Sequence, residues 1–147
     1  MLRALKSARK ERLRGIAILR LDFNADDDWR MRACLPTVRF LMRYAEKIVI
    51  VSHKGRPHTH VVRGAQGEKE KRLYSLKSDA RKLGALLGHP VRFIPHFDFE
   101  KIATTIHRAP KKSIILLENI RFVSGEAENR SDTARKIASL GNYYVDD

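Results

Sequence analysis

Short, uniformly apolar runs alternate along this chain with longer segments in which apolar residues recur every three or four positions. The runs predict five strands, over Ile16–Leu21, Lys47–Val51, Val91–Ile94, Ser113–Leu117 and Asn142–Val145. Runs without polar alternation are typical of parallel strands that helices cover on both faces. The sequence therefore predicts an α/β fold, with a parallel sheet and helices on both faces in a Rossmann-like three-layer arrangement.

Capping residues and prolines set the expected ends of the helices. Asp26–Asp28 are expected to begin a helix that reaches Ala45, because acidic side chains favour the first turn. Pro36 also favours a first turn, so the main helix is expected to begin there, after a turn from Trp29 to Leu35. The other predictions are a basic helix within Met1–Arg14, a polar loop over His58–Lys71, and helices over Leu76–Leu87 (capped by Ser75 and Gly88), Phe99–Ala109 and Asp132–Leu140 (capped by Ser131 and Gly141).

Four of the predicted strands are followed by polar residues. The clusters are Asp22-Phe23-Asn24, Ser52-His53-Lys54-Gly55-Arg56-Pro57, Glu118-Asn119-Ile120-Arg121 and Asp146-Asp147. The carboxyl ends of parallel strands share one edge of a sheet, and ligands of open α/β sheets bind at that edge. We therefore expect residues from distant parts of the sequence to form one site that carries arginine, histidine, asparagine and carboxylate groups.

Two of these clusters have the groups that a small anionic or hydroxylated ligand requires. Arg56 offers a planar guanidinium fork, His53 can donate to an anion, and Gly55 allows the backbone to turn. The alternative is an ordinary strand-to-loop turn with exposed basic residues. Asp22 and Asn24 lie two positions apart, so they face the same side of an extended chain. That pair suits a hydroxylated ligand, and the alternative is an Asx turn that caps the next helix.

Two further arginines are candidate anion ligands. Arg30 lies near the start of the predicted helix, where backbone N–H groups favour negative charge. The alternative is an ordinary surface arginine. Arg121 follows the fourth strand, and its alternative is a salt bridge to Glu118 or Glu126.

Composition limits the classes of partner. The chain has 147 residues, 43% of them apolar, a formal net charge of +13 and one cysteine. Its length fits one domain, and its charge suggests nucleic acid, anionic lipid or phosphorylated metabolites as partners. Aromatic residues do not interleave with the basic runs, which argues against single-stranded nucleic acid. Solvated helix faces and loops account for most of the basic residues, so nucleic acid in general is not the expected partner. The chain has neither an apolar run of membrane-spanning length nor a secretory signal, and Cys34 suits a reducing cytoplasm.

Several familiar motifs are missing from the sequence. Neither G-x-x-x-x-G-K-[ST] nor G-x-G-x-x-G occurs, so no familiar nucleotide-phosphate loop is predicted. His58 and His60 are not joined by a cluster of cysteines or carboxylates, so a solvated loop is expected there and no metal site. Ser52 beside His53 does not form a triad without a positioned carboxylate and oxyanion donors.

Taken together and in order, the motifs resemble the N-terminal domain of the phosphoglycerate kinase family, from about Arg14 to Asp147. The resemblance rests on six segments: Leu19-Arg20-Leu21-Asp22-Phe23-Asn24, Arg30-Met31-Arg32-Ala33-Cys34-Leu35-Pro36-Thr37, Ser52-His53-Lys54-Gly55-Arg56-Pro57, Tyr74-Ser75-Leu76-Lys77, Leu87-Gly88-His89-Pro90-Val91 and Leu116-Leu117-Glu118-Asn119-Ile120-Arg121-Phe122. It implies a cytoplasmic, monomeric glycolytic transferase. Such a kinase moves a phosphoryl group reversibly between 1,3-bisphosphoglycerate and ADP, giving 3-phosphoglycerate and ATP with Mg²⁺.

The resemblance also implies roles for particular residues. Asp22 and Asn24 would contact the hydroxyl and carboxylate end of the glycerate. His53, Arg56 and Arg121 would bind its anionic groups. Arg30 resembles the family's catalytic arginine, which stabilises the phosphoryl group during transfer. Residues 1–147 would form a partial N-terminal, 3-phosphoglycerate-binding domain, incomplete at its C-terminus, and the nucleotide with Mg²⁺ would be held by a C-terminal domain absent from this chain.

The chain departs from the family pattern at several positions. The segment between Asn24 and Arg30 is shorter than usual, which could displace Arg30. Lys54 stands where an apolar residue is common, Val123 where His is frequent, and Asp146 where Asn is frequent. We expect the isolated chain to lack kinase activity. Two alternatives remain open, namely an inactive fragment and a basic polyanion-binding module on the same scaffold.

Overall fold

The computed structural model describes residues 5–7, 9–24, 28–57, 64–123 and 130–147. In these ranges the strands are β1 (Ile16–Asp22), β2 (Lys47–His53), β3 (Val91–Ile94), β4 (Ile114–Leu117) and β5 (Tyr143–Asp146). The α-helices are α1 (Trp29–Tyr44), α2 (Gly64–Tyr74), α3 (Lys77–Leu87), α4 (Phe99–Arg108) and α5 (Arg130–Ala138). Short 3₁₀ turns occupy Leu5–Ser7, Lys10–Leu13 and Ile120–Phe122. The predicted caps Asp26 and Asp27, and also His58, His60 and Glu126, lie outside the described residues.

All five strands are parallel, and their order in the sheet is β3-β4-β2-β1-β5. The central strand β2 is buried from Lys47 to Ser52, and β4 is buried along its whole length. Strands of this kind must be covered on both faces, which is why the uniformly apolar runs identified them. The predicted α/β fold with a parallel sheet is confirmed.

Helices bury both faces of the sheet. On one face, Leu19 and Leu21 of β1 belong to a core shared with Val38 of α1 and Leu83 of α3. On the other face, Ile18, Val49 and Ile115 of the strands form a second buried core with Ile102 of α4 and with Leu140, which follows α5. This alternation along β1 gives the three-layer arrangement that the sequence predicts.

The predicted break in the first helix is wrong. The helix runs without interruption from Trp29 to Tyr44, with Pro36 inside it. Pro36 removes one backbone donor, but it is exposed, while Val38 and Leu41 on the opposite side are fully buried. Burial of that apolar face outweighs the lost hydrogen bond. Asp28 occupies the N-cap position, but its side chain forms no capping hydrogen bond with the helix backbone. Its carboxylate instead accepts a hydrogen bond from Lys82 Nζ at 2.6 Å.

The polar loop predicted over His58–Lys71 is also wrong for its second half, where α2 lies. Gly64 and Gly67 argue against a helix, but the segment after them is rich in strong helix formers, with Glu68 and Lys71 paired at 3.5 Å. Within the predicted basic helix at the start, the described residues form 3₁₀ turns only. The later helices lie within one or two residues of their predicted ends, and Gly88 ends α3 in the left-handed conformation, with φ of 64°.

Candidate active site

Asp22 is the residue on which the candidate site converges. It ends β1, and its Oδ2 forms an ion pair with Nη1 of Arg30 in the first turn of α1. Its Oδ1 lies 3.6 Å from Nε2 of His53 at the end of β2 and accepts the backbone N–H of Asn24 at 2.8 Å. The structure therefore brings Asp22, Arg30 and His53 together at the carboxyl edge, and the Asx turn considered as an alternative is present as well.

Asn24 and Gly55 connect the loops after β1 and β2. The Asn24 Oδ1 accepts the backbone N–H of Gly55 at 2.8 Å. Gly55 has a φ of 61°, and a Cβ built there would lie 2.2 Å from Cε1 of Tyr74. Glycine is required at this position both by conformation and by space.

Arg121 reaches the same loop from the end of β4. Its Nη1 donates to the carbonyl oxygen of Gly55, and its backbone N–H donates to Oδ1 of Asn119 at 3.1 Å. The salt bridge to Glu118 considered from the sequence is not the one formed. The Glu118 carboxylate instead accepts the backbone N–H groups of Leu76 and Asn119 and the hydroxyl of Ser75.

Arg56 lies apart from this network. Its side chain is exposed, and among the described residues none forms an ion pair or hydrogen bond with it. The guanidinium is therefore available at the rim beside Gly55, with no partner in the described part of the chain to compete for an anion.

Arg30, Arg121 and Arg20 place positive charge around the Asp22 and His53 side chains, and Asp146 and Asp147 add negative charge at the end of β5. Burial lowers the pKa of His53, and the positive charges of Arg121, Arg20 and Arg30 lower it further, against the opposing effect of Asp22. The imidazole is thus neutral in the free protein near pH 7. An anion bound between His53 and Arg121 would raise the pKa of His53 again, because its negative charge favours the protonated imidazole.

A cleft of about 160 Å³ opens beside Arg30, and it is lined by Asp22, Trp29, Arg30, Ala33, Cys34 and Asp147. The Trp29 ring lies 4.9 Å from the guanidinium carbon of Arg30, within cation–π range. The Nε of Arg30 is buried and has no hydrogen-bond partner among the described residues. Asp22 and Trp29 thus fix the position of Arg30, although the preceding segment is short.

Sequence reasoning missed the residues that hold these loops in place. Asn119 is fully buried, and its Nδ2 donates to the carbonyl oxygens of Lys54 at 2.8 Å and Tyr74 at 3.0 Å. Lys54, the departure from the family pattern, donates through Nζ to the buried Asp79 of α3 at 3.1 Å. The polar pair Glu118-Asn119 after a buried strand was the available signal for Asn119. No local signal pairs Lys54 with a residue 25 positions away.

Two kinds of feature are absent from the part of the chain that the structure describes. In that part of the chain, no group of three or more histidine, cysteine or acidic side chains is close enough together to hold a metal ion. None of the described helices combines the length and the apolar character that a membrane span requires.

The parallel sheet places this chain in the class of open α/β domains, in which ligands bind at the carboxyl edge of the strands. A family model described as phosphoglycerate kinase matches residues 16–147. The chain belongs to the phosphoglycerate kinase family, and the resemblance drawn from its motifs is confirmed.

Individual relatives agree with this assignment. The chain is 36% identical over 138 residues to phosphoglycerate kinase of Borrelia hermsii, covering 89% of this chain and 33% of the relative. It is 35% identical to a cytosolic phosphoglycerate kinase of Nicotiana tabacum over 126 residues, 86% of this chain and 29% of the relative. The phosphoglycerate kinase structure from Coxiella burnetii superposes with a TM-score of 0.72 at 24% identity, over 97% of this chain and 34% of that one, and shows the fold. The chain spans about a third of the length of the curated relatives it matches.

Proposed function

We propose that this chain is the glycerate-binding part of a phosphoglycerate kinase. The enzyme would transfer a phosphoryl group reversibly between 1,3-bisphosphoglycerate and ADP, giving 3-phosphoglycerate and ATP. The observation that carries the proposal is the convergence of Asp22, Arg30 and His53, from three separate elements, at one edge of the sheet. Residues 1–147 would belong to the N-terminal domain of that enzyme.

The positions of the polar side chains support a separate substrate contact for each of them. Arg56, Arg121 and His53 would bind the anionic groups of the substrate, since Arg56 is unpaired among the described residues and the other two flank Gly55 and Asp22. Asn24 uses its Oδ1 to bind Gly55, so its Nδ2 is the atom left to donate to a glycerate oxygen. Asp22 would accept from a substrate hydroxyl while it holds Arg30.

Arg30 would act on the phosphoryl group itself. Phosphoryl transfer is accelerated mainly by positioning and by neutralisation of charge. Arg30 lies in the first turn of a helix, where backbone N–H groups add positive potential, and its guanidinium is fixed by Asp22 on one side and Trp29 on the other. An arginine in such a role contributes roughly 10³–10⁵ in rate.

The nucleotide and its Mg²⁺ would be bound elsewhere in the enzyme. The rim presents guanidinium and imidazole groups, which fit the acid substrate rather than a cation, and the described residues offer no metal-binding group of side chains. We assign ATP or ADP with Mg²⁺ to a further domain of the full-length enzyme. We also propose that the enzyme is a monomer and that it lies in the cytoplasm, and the name of the cytosolic plant relative supports the location.

The direct test is calorimetric titration of the 147-residue chain with 3-phosphoglycerate. We expect weak but saturable binding, and a loss of about ten- to a hundred-fold in affinity for each of Arg30→Ala, Arg56→Ala and Arg121→Ala, since a hydrogen bond to a charged group is worth about 1.5–3 kcal/mol. Arg81→Ala, on the exposed side of α3, is the matched control and should bind normally. Absence of binding, or an equal loss in the control, would contradict the proposal.

A coupled assay for ATP formation tests the division between domains. We expect no turnover by the 147 residues alone, because enforced proximity of donor and acceptor supplies about 7–11 kcal/mol of barrier lowering. The alternative of an inactive fragment predicts neither turnover nor binding of 3-phosphoglycerate. The two experiments together therefore distinguish the alternatives.

A further inference from the structure

The amino edge of the sheet, at the opposite end from the candidate active site, carries a concentration of exposed cations. They lie on the 3₁₀ turn before β1, at the end of α1 and on the connection from α4 to β4. We call this surface the basic pole and define it by Lys10, Arg12, Arg14, Arg43, Arg108 and Lys111, all of which are exposed.

The connections that carry these cations are adjacent, so the pole is one continuous surface. The backbone N–H of Glu46 donates to Gly15 at 2.7 Å, and the N–H of Lys112 donates to Glu46 at 2.6 Å. The sheet order explains this contact, because β1, β2 and β4 are neighbours. Lys10 completes the surface with its ammonium 5.6 Å from the Tyr44 ring, at the last turn of α1.

Two other lysines at this edge bind helix carbonyl groups, whereas the side chains of the six pole cations form no hydrogen bond among the described residues. Lys47 donates through Nζ to the carbonyl oxygens of Ile106 and His107 at the end of α4, at 2.8 and 3.0 Å. Lys112 donates in the same way to Ala45 at the end of α1, at 2.9 Å. These two lysines satisfy helix carbonyls.

The six cations of the pole are not neutralised. No ion pair joins any of them to a carboxylate among the described residues, and the ion pairs that do form use other lysines and arginines. The acidic residues next to these cations in the described chain are Glu11 and Glu46. A net positive surface therefore remains where the fold itself does not require one.

We propose that the basic pole binds the phosphate backbone of double-stranded nucleic acid. Four of the six cations are arginines, whose guanidinium fork matches phosphate oxygens. Backbone contacts of this kind are independent of base sequence. The aromatic ring at the pole, Tyr44, is half-buried and already in contact with Lys10 and Phe40, so it offers no open platform for an unpaired base, which favours a duplex over a single strand.

An anionic membrane is a weaker match for the same charges. Peripheral membrane binding combines cations with inserted apolar side chains. The large exposed apolar residues of the described chain are Trp29, Leu73 and Tyr144. Trp29 lies at the carboxyl edge, Leu73 on α2 and Tyr144 on β5, so none belongs to the pole.

The pole is separate from the glycerate site. The seven residues of β1 lie between the two edges, and strand geometry places the edges about 20 Å apart. Binding at the pole therefore does not depend on the proposed kinase function. Saturating 3-phosphoglycerate should leave it unchanged.

The test is fluorescence anisotropy of a labelled 20-base-pair DNA duplex titrated with the 147-residue chain from 50 to 300 mM salt. With about five phosphate contacts, log K should fall against log salt with a slope of about −4 to −5. The triple variant Arg14→Gln, Arg43→Gln, Lys111→Gln removes one cation from each of three connections. It should reduce the magnitude of that slope by about 2–3.

A charge-matched control removes three exposed cations from other surfaces, namely Lys69→Gln, Arg72→Gln and Arg81→Gln. We expect the control to keep the wild-type slope. Equal weakening by both triple variants, competition by 3-phosphoglycerate, or binding to phosphatidylserine vesicles without binding to DNA would each overturn the proposal. Circular dichroism of both variants checks that they fold.

Discussion

The side chain of Asn24 accepts a hydrogen bond from the backbone N–H of Gly55 at 2.8 Å, and so ties the loop after β1 to the loop after β2. The two loops carry candidate ligands from strands that are adjacent in the sheet. One amide side chain therefore has two tasks, which use different atoms. Its Oδ1 holds the loops together, and its Nδ2 is left for a ligand.

Substitutions at Asn24 should separate these two tasks. Asn24→Asp keeps an acceptor for Gly55 but places a negative charge where the donor was. We expect stability close to wild type and at least about a tenfold loss of 3-phosphoglycerate affinity. Asn24→Ala removes both functions and should also cost about 0.5–1.5 kcal/mol in unfolding free energy. Urea unfolding and calorimetric titration measure the two quantities, and equal losses for both variants would contradict this assignment.

Lys54 and Asp79 should be energetically coupled. Lys54→Met leaves the largely buried Asp79 carboxylate without its cation, which should cost about 1.5–3 kcal/mol. The double variant Lys54→Met/Asp79→Asn should cost less than the sum of the single changes. Lys101→Met is the control, because Lys101 pairs with Asp98 on the surface with 76% of its side chain exposed, and it should change stability by under about 1 kcal/mol. Additive single and double costs in urea unfolding would count against coupling.

The layered fold could be predicted because the strands of a doubly covered sheet have a pattern that needs no tertiary information. Positions where tertiary packing opposes a local preference could not be predicted. Pro36 favours a helix start, but burial of Val38 and Leu41 carries α1 through it. The helix α2 was not predicted because Gly64 and Gly67 have low helix propensity, although the residues that follow them favour a helix.

The location of the candidate site could be predicted because the carboxyl ends of parallel strands lie at one edge of the sheet. Asp22, His53 and Arg121 were expected at one edge because each belongs to the polar cluster at the end of a strand, and the structure places them there. The individual partners could not be predicted. Asn119 bridges Lys54 and Tyr74, and that arrangement requires the end of α2, which the sequence pattern did not indicate.

Cys34 should be unreactive in the folded protein although it lines the cleft beside Arg30. Burial, and then the negative charge of Asp147, raises the pKa of the thiol to about 12. Because the thiolate is the reactive form, native protein at pH 8 should react with a disulfide reagent about a thousandfold more slowly than protein in 6 M guanidinium, since a pKa of about 12 leaves a far smaller fraction of thiolate at that pH. Absorbance of the released thiol follows the reaction. Comparable rates in the two states would contradict burial of this cysteine.

As the pH falls, protonation of His53 should lower the unfolding free energy of the chain but raise its affinity for 3-phosphoglycerate. Burial and the charge of Arg121 lower its pKa from 6.5 in the folded protein, so the unfolded chain binds the proton more readily. The stabilising contribution is present above pH 6.5 and is lost as pH falls through the folded-state pKa. Urea unfolding at pH 7.5, 6.5 and 5.5 should therefore show a loss of stability that is smaller in His53→Asn.

Affinity for 3-phosphoglycerate should change the other way in the same pH range. A bound anion favours the protonated imidazole, so binding takes up a proton, and lowering the pH should improve the affinity of wild type relative to His53→Asn. Calorimetry in two buffers of different ionisation enthalpy measures this uptake directly. His107→Asn, an exposed change on α4, controls for the loss of one histidine. Equal proton uptake by wild type and His53→Asn would show that His53 does not contact the ligand.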